Sequence, residues 1–237
     1  MIFHLPDGML FWKTGLLEQG ARAMTREIFP MRQGLIGRRT FIAGCALVVG
    51  GLAAIPTRAS TVIGKASDVR GKVSLKRAER QEGLATGAQI MDNDYVATGT
   101  HSFADLALEG DTRILLGSET ALLLDSFIAG QGGTMELGMG QIVFDRPEGL
   151  PKIDLALRTT FGMIGVRGTK FFCGPNRGVF AVFVEHGQVS VDGGGVRRLV
   201  GAGEGIEIAR PGDAPTQTVK WKEARIVEAY ASAGLTR

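Results

Sequence analysis

Short alternating strands separated by glycine-rich turns constrain the fold of this chain more than any other feature of its sequence. The pattern is clearest between Phe161 and Val191, where two β-branched and aromatic runs, Lys170–Cys173 and Val179–Val184, flank the segment Gly174–Gly178. Runs of this composition form strands, and Gly, Pro and Asn between them form turns. The stretch therefore predicts a β-hairpin.

Each arm of this hairpin borders a short motif. The first arm follows Gly165-Val166-Arg167-Gly168-Thr169, in which two glycines flank an arginine. The second arm leads through Glu185-His186-Gly187 into another alternating strand, Gln188–Val191. Because a glycine permits backbone angles and close contacts that a Cβ would block, we expect tight turns or close backbone packing at both motifs.

Further strands are predicted along the rest of the chain, and no alternation of strands with helices interrupts them. The runs are Val69–Leu75, Ala104–Leu108, Arg113–Leu116 and Ala121–Leu124, and Asp192–Gly195 is typical of a hairpin turn. Three segments share the form G-[KQ]-[VI] and are expected to begin a strand at a tight turn or bulge: Gly71–Leu75, Gly140–Phe144 and Gly187–Val191. We predict an all-β fold, a rolled or sandwiched antiparallel sheet of hairpins with a short C-terminal helix.

The helix is predicted beyond a linker at Arg210–Pro215. Apolar residues recur at helical spacing between Val219 and Ala233, and Gly234 is a candidate C-cap. The favoured interpretation is a helix that covers an open edge of the β domain and packs Trp221 on it. The alternative is a partner-binding helix.

The V-R-G-T box, two hairpin strands and the sequence E-x-G-x-V-x-V resemble the FecR family of bacterial envelope signalling domains. The upstream pattern Gly87-x-x-Ile90-x-x-x-Asp94-x-Val96-x-Thr98-Gly99 is similar to the first half of that domain, so the resemblance runs from about Gly64 to Ile208. It implies a periplasmic sensor domain. Regulatory members of the family couple an outer-membrane TonB-dependent transducer to a cytoplasmic sigma factor.

The resemblance marks seven motif residues with a structural or partner-binding role: Gly165, Val166, Arg167, Gly168, Thr169, Glu185 and Gly187. For Arg167, a half-buried ion pair with Glu185 is favoured, because two charges in that position must be paired. The alternative is that Arg167 is displayed to an anionic ligand.

The first 59 residues are interpreted as an N-terminal extension and a twin-arginine export signal. Arg38-Arg39-Thr40-Phe41 precedes an apolar run of about 15 residues, too short for a permanent membrane span, and Ala59 ends a candidate cleavage site. The alternatives are an ordinary signal peptide or an uncleaved hydrophobic tail. A signal of conventional length would start at Met31, so residues 1–30 are either untranslated or a cytoplasmic extension.

The leader and the mature chain differ in charge, and each contains one of the two cysteines. Of 27 Lys and Arg residues seven precede residue 60, against three of 24 acidic residues, so the basic character belongs to the leader and a nucleic-acid partner is not expected. The run continues past Cys45, which argues against lipidation there. Cys173 is then the one thiol of the mature chain, and its Phe-Phe-Cys context predicts a buried hydrophobe.

No catalytic or metal-binding pattern is present in the sequence. The mature chain offers His101 and His186, and Glu185 beside His186 lacks the further ligands of a tight metal site. Four acidic residues, Asp92, Asp94, Asp111 and Asp125, are scattered and are expected on the solvated surface. We expect no catalytic residue, no metal and no cofactor.

These observations predict three segments: residues 1–59 as leader, 60–210 as a FecR-like β domain, and 211–237 as linker and helix. The expected function is that of an exported periplasmic binding or sensor module that acts through protein contacts. Its partner would be a TonB-dependent outer-membrane receptor or an inner-membrane signalling protein. The chain departs from regulatory members because no cytoplasmic anti-sigma domain or stable membrane span is expected in it. A carbohydrate- or peptidoglycan-binding module is the first alternative, and a cofactor-loaded protein is the second.

Overall fold

The computed structural model describes residues 61–235, of which 58% lie in strands. The proposed leader residues Arg38, Arg39, Phe41 and Ala59, together with Met31 and Cys45, lie outside this part of the chain. In chain order the elements are β1 Val62–Arg70, β2 Val73–Arg77, β3 Arg80–Gly83, β4 Gln89–Met91, β5 Tyr95–Thr98, β6 Phe103–Leu108, β7 Thr112–Leu116, β8 Ala121–Ile128, β9 Gly132–Met139, β10 Ile142–Asp145, β11 Asp154–Thr159, β12 Gly162–Val166, β13 Lys170–Asn176, β14 Val179–His186, β15 Gln188–Gly193, β16 Val196–Gly201, β17 Glu204–Ile208, β18 Val219–Lys220 and α1 Glu223–Ser232.

The strands form two nine-stranded sheets. The first sheet has the order β18-β17-β14-β13-β10-β7-β6-β1-β4, and the second has the order β16-β15-β12-β11-β9-β8-β5-β2-β3. One hydrophobic core contains buried residues of both sheets, such as Leu106 and Phe171 of the first and Leu122 and Val189 of the second. The predicted all-β fold with a short C-terminal helix is confirmed, and the arrangement is a sandwich of hairpins.

One pairing departs from the antiparallel expectation. Strands β9 and β11 run parallel, with Asp154 paired to Gly132 and Thr159 to Leu137. The chain leaves β9 for β10 in the first sheet and then returns to the second sheet beside β9. A return through the opposite sheet brings the strand back in its original direction, which a tight hairpin cannot do.

The hairpin predicted within Phe161–Val191 is present as β13 and β14, with a shorter turn than expected. The strands continue to Asn176 and from Val179, so the turn is Arg177-Gly178, and both residues have positive φ, 56° and 84°. Two positive φ values are typical of the primed turns that close two-residue hairpins. Pro175 fits within β13 because the pairing with β10 ends at Cys173, so its missing N–H removes no bond from that ladder.

The shared G-[KQ]-[VI] segments are the corners at which the chain passes from one sheet to the other. Gly71 precedes β2, Gly140 precedes β10 and Gly187 precedes β15, and their φ values are 79°, 81° and 80°. This confirms the predicted tight turns. It also corrects the single strand expected over Val69–Leu75, because Gly71 divides that run between β1 of the first sheet and β2 of the second.

The helix α1 covers the outer face of the first sheet. A second apolar cluster joins its Ile226, Ala229 and Tyr230 to side chains of four inner strands, namely Leu115, Val143, Phe172 and Phe183. Trp221 stacks on Phe183 with ring centroids 5.0 Å apart. The expectation that the helix covers a sheet edge is therefore wrong, since β7, β10, β13 and β14 all lie inside the sheet. Gly234, with φ 84°, follows the C-cap residue Ala233.

Candidate binding surface

The V-R-G-T box lies where β12 leaves the second sheet. Val166 is the last residue of β12 and is buried in the core, and Thr169 is fully buried just before β13. The Thr169 carbonyl accepts a hydrogen bond from the Arg146 backbone N–H at 3.2 Å. Gly168, between Val166 and Thr169 in the sequence, has a φ of 77° and therefore the left-handed conformation that glycine adopts without strain. The box is a rigid corner of the core with Arg167 at its outer side.

Gly187 of the E-x-G motif packs directly against this corner. A Cβ at Gly187 would lie 2.6 Å from Thr169 Cγ2 and 3.0 Å from the Gly168 carbonyl oxygen. Such distances leave no room for a side chain, in addition to the cost of the positive φ. Three of the seven motif residues therefore form one tight contact, as expected for close backbone packing.

Glu185 and Arg167 do not form the ion pair that the sequence suggested. The Glu185 carboxylate lies 3.6 Å from Lys170 Nζ, and Lys170 also reaches Asp145 at 3.3 Å. Arg167 is exposed on the outer face of the second sheet, and no ion pair of its guanidinium is found within residues 61–235. The reason is strand alternation: Val166 points into the core, so the next side chain points outwards.

Arg167 lines a groove of about 380 Å³ on the outer face of the second sheet. Small residues form its floor, because cross-strand pairing places Ala156 beside Gly165 and Gly165 beside Ser190. A Cβ at Gly165 would lie 2.6 Å from Ser190 Oγ, so a larger residue there would fit only if the serine hydroxyl moved. Gly165, two residues before Arg167, thus keeps the floor of the groove low.

Larger side chains form the walls of the groove. Met163 is 39% exposed and Leu199 is 58% exposed, so both walls present apolar surface. Asp192 and Arg197, paired across β15 and β16, form an ion pair with 2.6 Å between Oδ1 and Nε. Hydrogen bonding to Asp192 raises the pKa of the exposed Arg197. The groove therefore combines apolar contacts with guanidinium groups that can bind a carboxylate.

A second polar cluster connects the hairpin to the helix. Lys170 Nζ, besides contacting Asp145 and Glu185, lies 5.8 Å from the centre of the Tyr230 ring of α1. His186 Nδ1 lies 3.6 Å from a carboxylate oxygen of Glu148. No group of three or more His, Cys, Asp and Glu side chains placed to hold a metal ion occurs in the described part of the chain.

Sequence reasoning missed the role of Asp94. It was expected on the surface, but its side chain is fully buried and forms an ion pair with Arg77. The carboxylate also accepts a hydrogen bond from the Met91 backbone N–H at 2.7 Å. The available signal was its fixed place within the Gly87–Gly99 pattern, between the buried residues Ile90 and Val96.

Cys173 behaves as predicted for a buried hydrophobe. Its side chain is fully buried in the core between the sheets, and burial raises the pKa of its thiol well above the ordinary value of 9.0. A thiol that stays protonated is a poor nucleophile. No helix within residues 61–235 has the length and apolar character needed to cross a membrane.

Comparison with protein families identifies the domain. The model of the family described as "FecR protein" matches residues 94–190, which run from the buried Asp94 to Ser190 on the groove floor. Residues 94–190 match a FecR domain. The FecR match lies inside the expected range of Gly64 to Ile208 and includes all seven motif residues.

Comparison with solved structures finds two crystal structures, each of a putative anti-sigma factor from Parabacteroides distasonis ATCC 8503. The first is 18% identical with a TM-score of 0.44, and the aligned part covers 56% of this chain and 62% of that one. The second is 15% identical with a TM-score of 0.45, covering 59% of this chain and 74% of that one. The chain thus spans less than two thirds of the first. The comparison with curated proteins found no match to this chain.

Proposed function

We propose that this protein is an exported periplasmic FecR sensor module that binds a protein partner through the groove beside Arg167. One observation carries the proposal: the family match includes the box Gly165–Thr169, and that box builds a groove with an exposed guanidinium at its rim. The module acts by contact. It needs no catalytic residue, metal or cofactor.

The geometry of the groove supports binding of a polypeptide. Arg167 lies next to a rigid corner, so its backbone is already ordered before a partner arrives. Its planar guanidinium can bind a carboxylate through two hydrogen bonds. Met163 and Leu199 supply apolar contacts on the same face. A protein surface that presents a single carboxylate to Arg167 among apolar groups fits this combination better than the continuous phosphates of a nucleic acid, because Asp154 and Asp192 also line the groove.

Export is the second part of the proposal. The signal around Arg38 and Arg39 would direct the chain to the twin-arginine route, with Phe41 in the motif and cleavage after Ala59. The family resemblance then favours a partner in the envelope, either a TonB-dependent outer-membrane receptor or an inner-membrane signalling protein.

Fractionation of a Gram-negative host tests export. The full chain is expressed in a strain with an intact twin-arginine translocase and in one without it, together with an Arg38→Lys, Arg39→Lys variant. A periplasmic protein whose intact mass is that of a chain starting at Ser60 is expected only for the unaltered sequence in the strain with the translocase. An unprocessed chain that stays in the cytoplasm of both strains contradicts this part of the proposal.

Site-specific photo-crosslinking tests the contact. A photoreactive amino acid replaces Met163 on the groove wall, which leaves Arg167 intact, and the control carries it at Arg80 on β3, an edge strand of the same sheet. A crosslinked protein band is expected from position 163 in intact cells and not from position 80. A product that muramidase digests would instead support the peptidoglycan-binding alternative, and no product at position 163 would contradict both.

A further inference from the structure

The four edge strands of the sandwich differ in length and composition. Strands β18, β4 and β3 have two, three and four residues, and β3 carries the polar sequence Arg80-Gln-Glu-Gly83 with every residue exposed. Strand β16 has six residues, pairs with β15 without a bulge, and contains Val196, Leu199 and Val200 together with Arg197 and Arg198. Short edge strands offer few backbone groups to another chain, and charges on an edge disfavour most partners. Of the four, β16 offers the longest edge, and its arginines disfavour a partner that is not acidic.

The register of β15 and β16 shows which backbone groups face outwards. The turn between them is Gly194-Gly195, both at positive φ, so Gly193 and Val196 are the hydrogen-bonded pair that closes a two-residue hairpin. Hydrogen-bonded and non-hydrogen-bonded pairs alternate in an antiparallel ladder. Arg197 and Leu199 are therefore non-hydrogen-bonded to β15, and their N–H and C=O groups point away from it.

Two observations agree with this assignment. Gly201, two residues beyond Leu199, donates its N–H to the Glu204 side chain at 3.0 Å and not to β15. In the described part of the chain no backbone group bonds to the outward side of Arg197 or Leu199. The edge thus presents two free N–H and two free C=O groups, with the Leu199 side chain 58% exposed above them.

Arg198 adds a charge to this edge. It lies between Arg197 and Leu199 with its side chain on the opposite face of β16, and it is half-buried. Its Nε is shielded from solvent and has no hydrogen-bond partner, and no ion pair of Arg198 occurs within residues 61–235. A half-buried guanidinium without a counter-ion is costly, so an acidic partner beside Arg198 would be favourable.

We propose that β16 is a docking edge that takes an extended segment of a partner protein as a tenth strand of the second sheet. The segment has an apolar residue opposite Leu199 and an acidic residue next to it, facing Arg198. Backbone pairing with Arg197 and Leu199 supplies affinity, and the two side-chain positions supply selectivity. This deepens the proposed protein-contact function, because Leu199 and Arg197 also line the Arg167 groove.

A second copy of the same chain fits this edge poorly. Antiparallel pairing of two β16 strands would bring four arginines, Arg197 and Arg198 of each copy, to one strand pair, and like charges that face each other across strands are destabilising. An acidic segment reverses the sign of this interaction. The charge of the edge therefore favours a different, acidic partner.

Amide exchange measured by NMR with defined peptides tests the docking edge. The probe is the peptide acetyl-TVEVEVT-amide, and the matched control is acetyl-TVKVKVT-amide, which has the same strand propensity and the opposite charge. The acidic peptide is expected to slow exchange of the Arg197 and Leu199 amides about fivefold or more, while Arg198 and Val200, already bonded to β15, change little. The lysine peptide is expected to leave all four unchanged.

Three variants sharpen the test. Leu199→Pro removes an outward N–H without removing a bond to β15, and it is expected to abolish protection. The matched control, Gln81→Pro, removes an N–H that faces outwards on β3 by the same ladder rule, and protection at β16 should persist. Arg198→Glu is expected to make the lysine peptide the one that protects the Arg197 and Leu199 amides. This variant tests the docking edge on its own if Leu199→Pro fails to fold.

Several results would overturn the docking edge. Equal protection by both peptides would remove the role of charge, and protection of Arg197 and Leu199 in the free protein would mean that the edge is already paired. Protection that increases with protein concentration in the absence of peptide would identify a second copy as the occupant. If the crosslink from position 163 forms but neither peptide protects β16, the proposed function stands and the docking edge alone fails.

Discussion

Arg77 and Asp94 form a bidentate ion pair that fixes the first strands of the second sheet. Nε and one terminal nitrogen of Arg77 each donate to a different oxygen of the Asp94 carboxylate, both at 2.7 Å. The carboxylate is fully buried, whereas the arginine side chain is 30% exposed. Hydrogen bonding to Asp94 raises the pKa of Arg77, so the guanidinium keeps its charge at any physiological pH.

Removal of Arg77 should be among the most destabilising single changes in this part of the chain. Arg77→Ala leaves a buried carboxylate with no counter-ion, which costs about 3–5 kcal/mol. The free energy of unfolding is measured by urea denaturation. Lys76→Ala, at the exposed neighbouring position, is the control and should change stability by less than about 0.5 kcal/mol. Equal effects of the two changes would contradict a buried pair.

Arg167→Ala should leave the melting temperature unchanged and remove partner binding. Arg167 is exposed and forms no ion pair within the described residues, so its truncation breaks no contact of the fold. Thermal unfolding followed by circular dichroism checks the first part, and recovery of the envelope partner on an affinity column checks the second. A melting temperature several degrees lower would show that Arg167 is a structural residue after all.

Two glycines with the same backbone angle should respond differently to alanine. Gly187 and Gly178 have φ values of 80° and 84°, but a Cβ would meet Thr169 at Gly187 and open space at Gly178. Gly178→Ala should therefore cost only the conformational penalty, about 1 kcal/mol. Gly187→Ala should cost a further 1–3 kcal/mol, about that of overpacking. Chemical denaturation of both variants gives the comparison, and equal losses would refute the close packing.

Cys173 should make the folded protein less stable at alkaline pH. The folded thiol has a raised pKa, so above the unfolded value of about 9.0 only the unfolded chain loses this proton. The unfolded state then binds fewer protons, and stability falls as pH rises. Between wild type and Cys173→Ala the difference in unfolding free energy should change by up to about 1.4 kcal/mol per pH unit above pH 9. No pH dependence of that difference would contradict a buried, protonated thiol.

The sequence predicted the strands better than it predicted their partners. Alternation identified β6, apolar or β-branched runs identified β7 and β14, and consecutive glycines identified the turn at Gly194-Gly195. Alternation does not reveal which sheet a strand joins. Val69, Gly71 and Val73 follow each other at the two-residue spacing of a strand. The run is therefore predicted as one strand, although the chain changes sheets within it.

The ion pairs of the candidate site were harder to predict. Glu185 had two cations nearby in sequence, Arg167 and Lys170, and the choice depends on which side of the sandwich each side chain faces. Lys170 lies on β13, hydrogen-bonded to the strand of Glu185, whereas Arg167 follows the inward-facing Val166 in the other sheet. The covering helix was predicted from its periodicity, but its location required the apolar outer face formed by Val143, Phe172 and Phe183.

The corners at Gly71, Gly140 and Gly187 also bear on the order in which the strands of this sandwich can pair during folding. Because the spatial order of the strands in each sheet nearly follows their order along the chain, every new hairpin finds its neighbour among strands just completed. No strand has to wait for a distant terminus before it can pair. Folding can therefore proceed from the N-terminal strands to the C-terminal ones. The helix α1 then packs across four strands that have already paired.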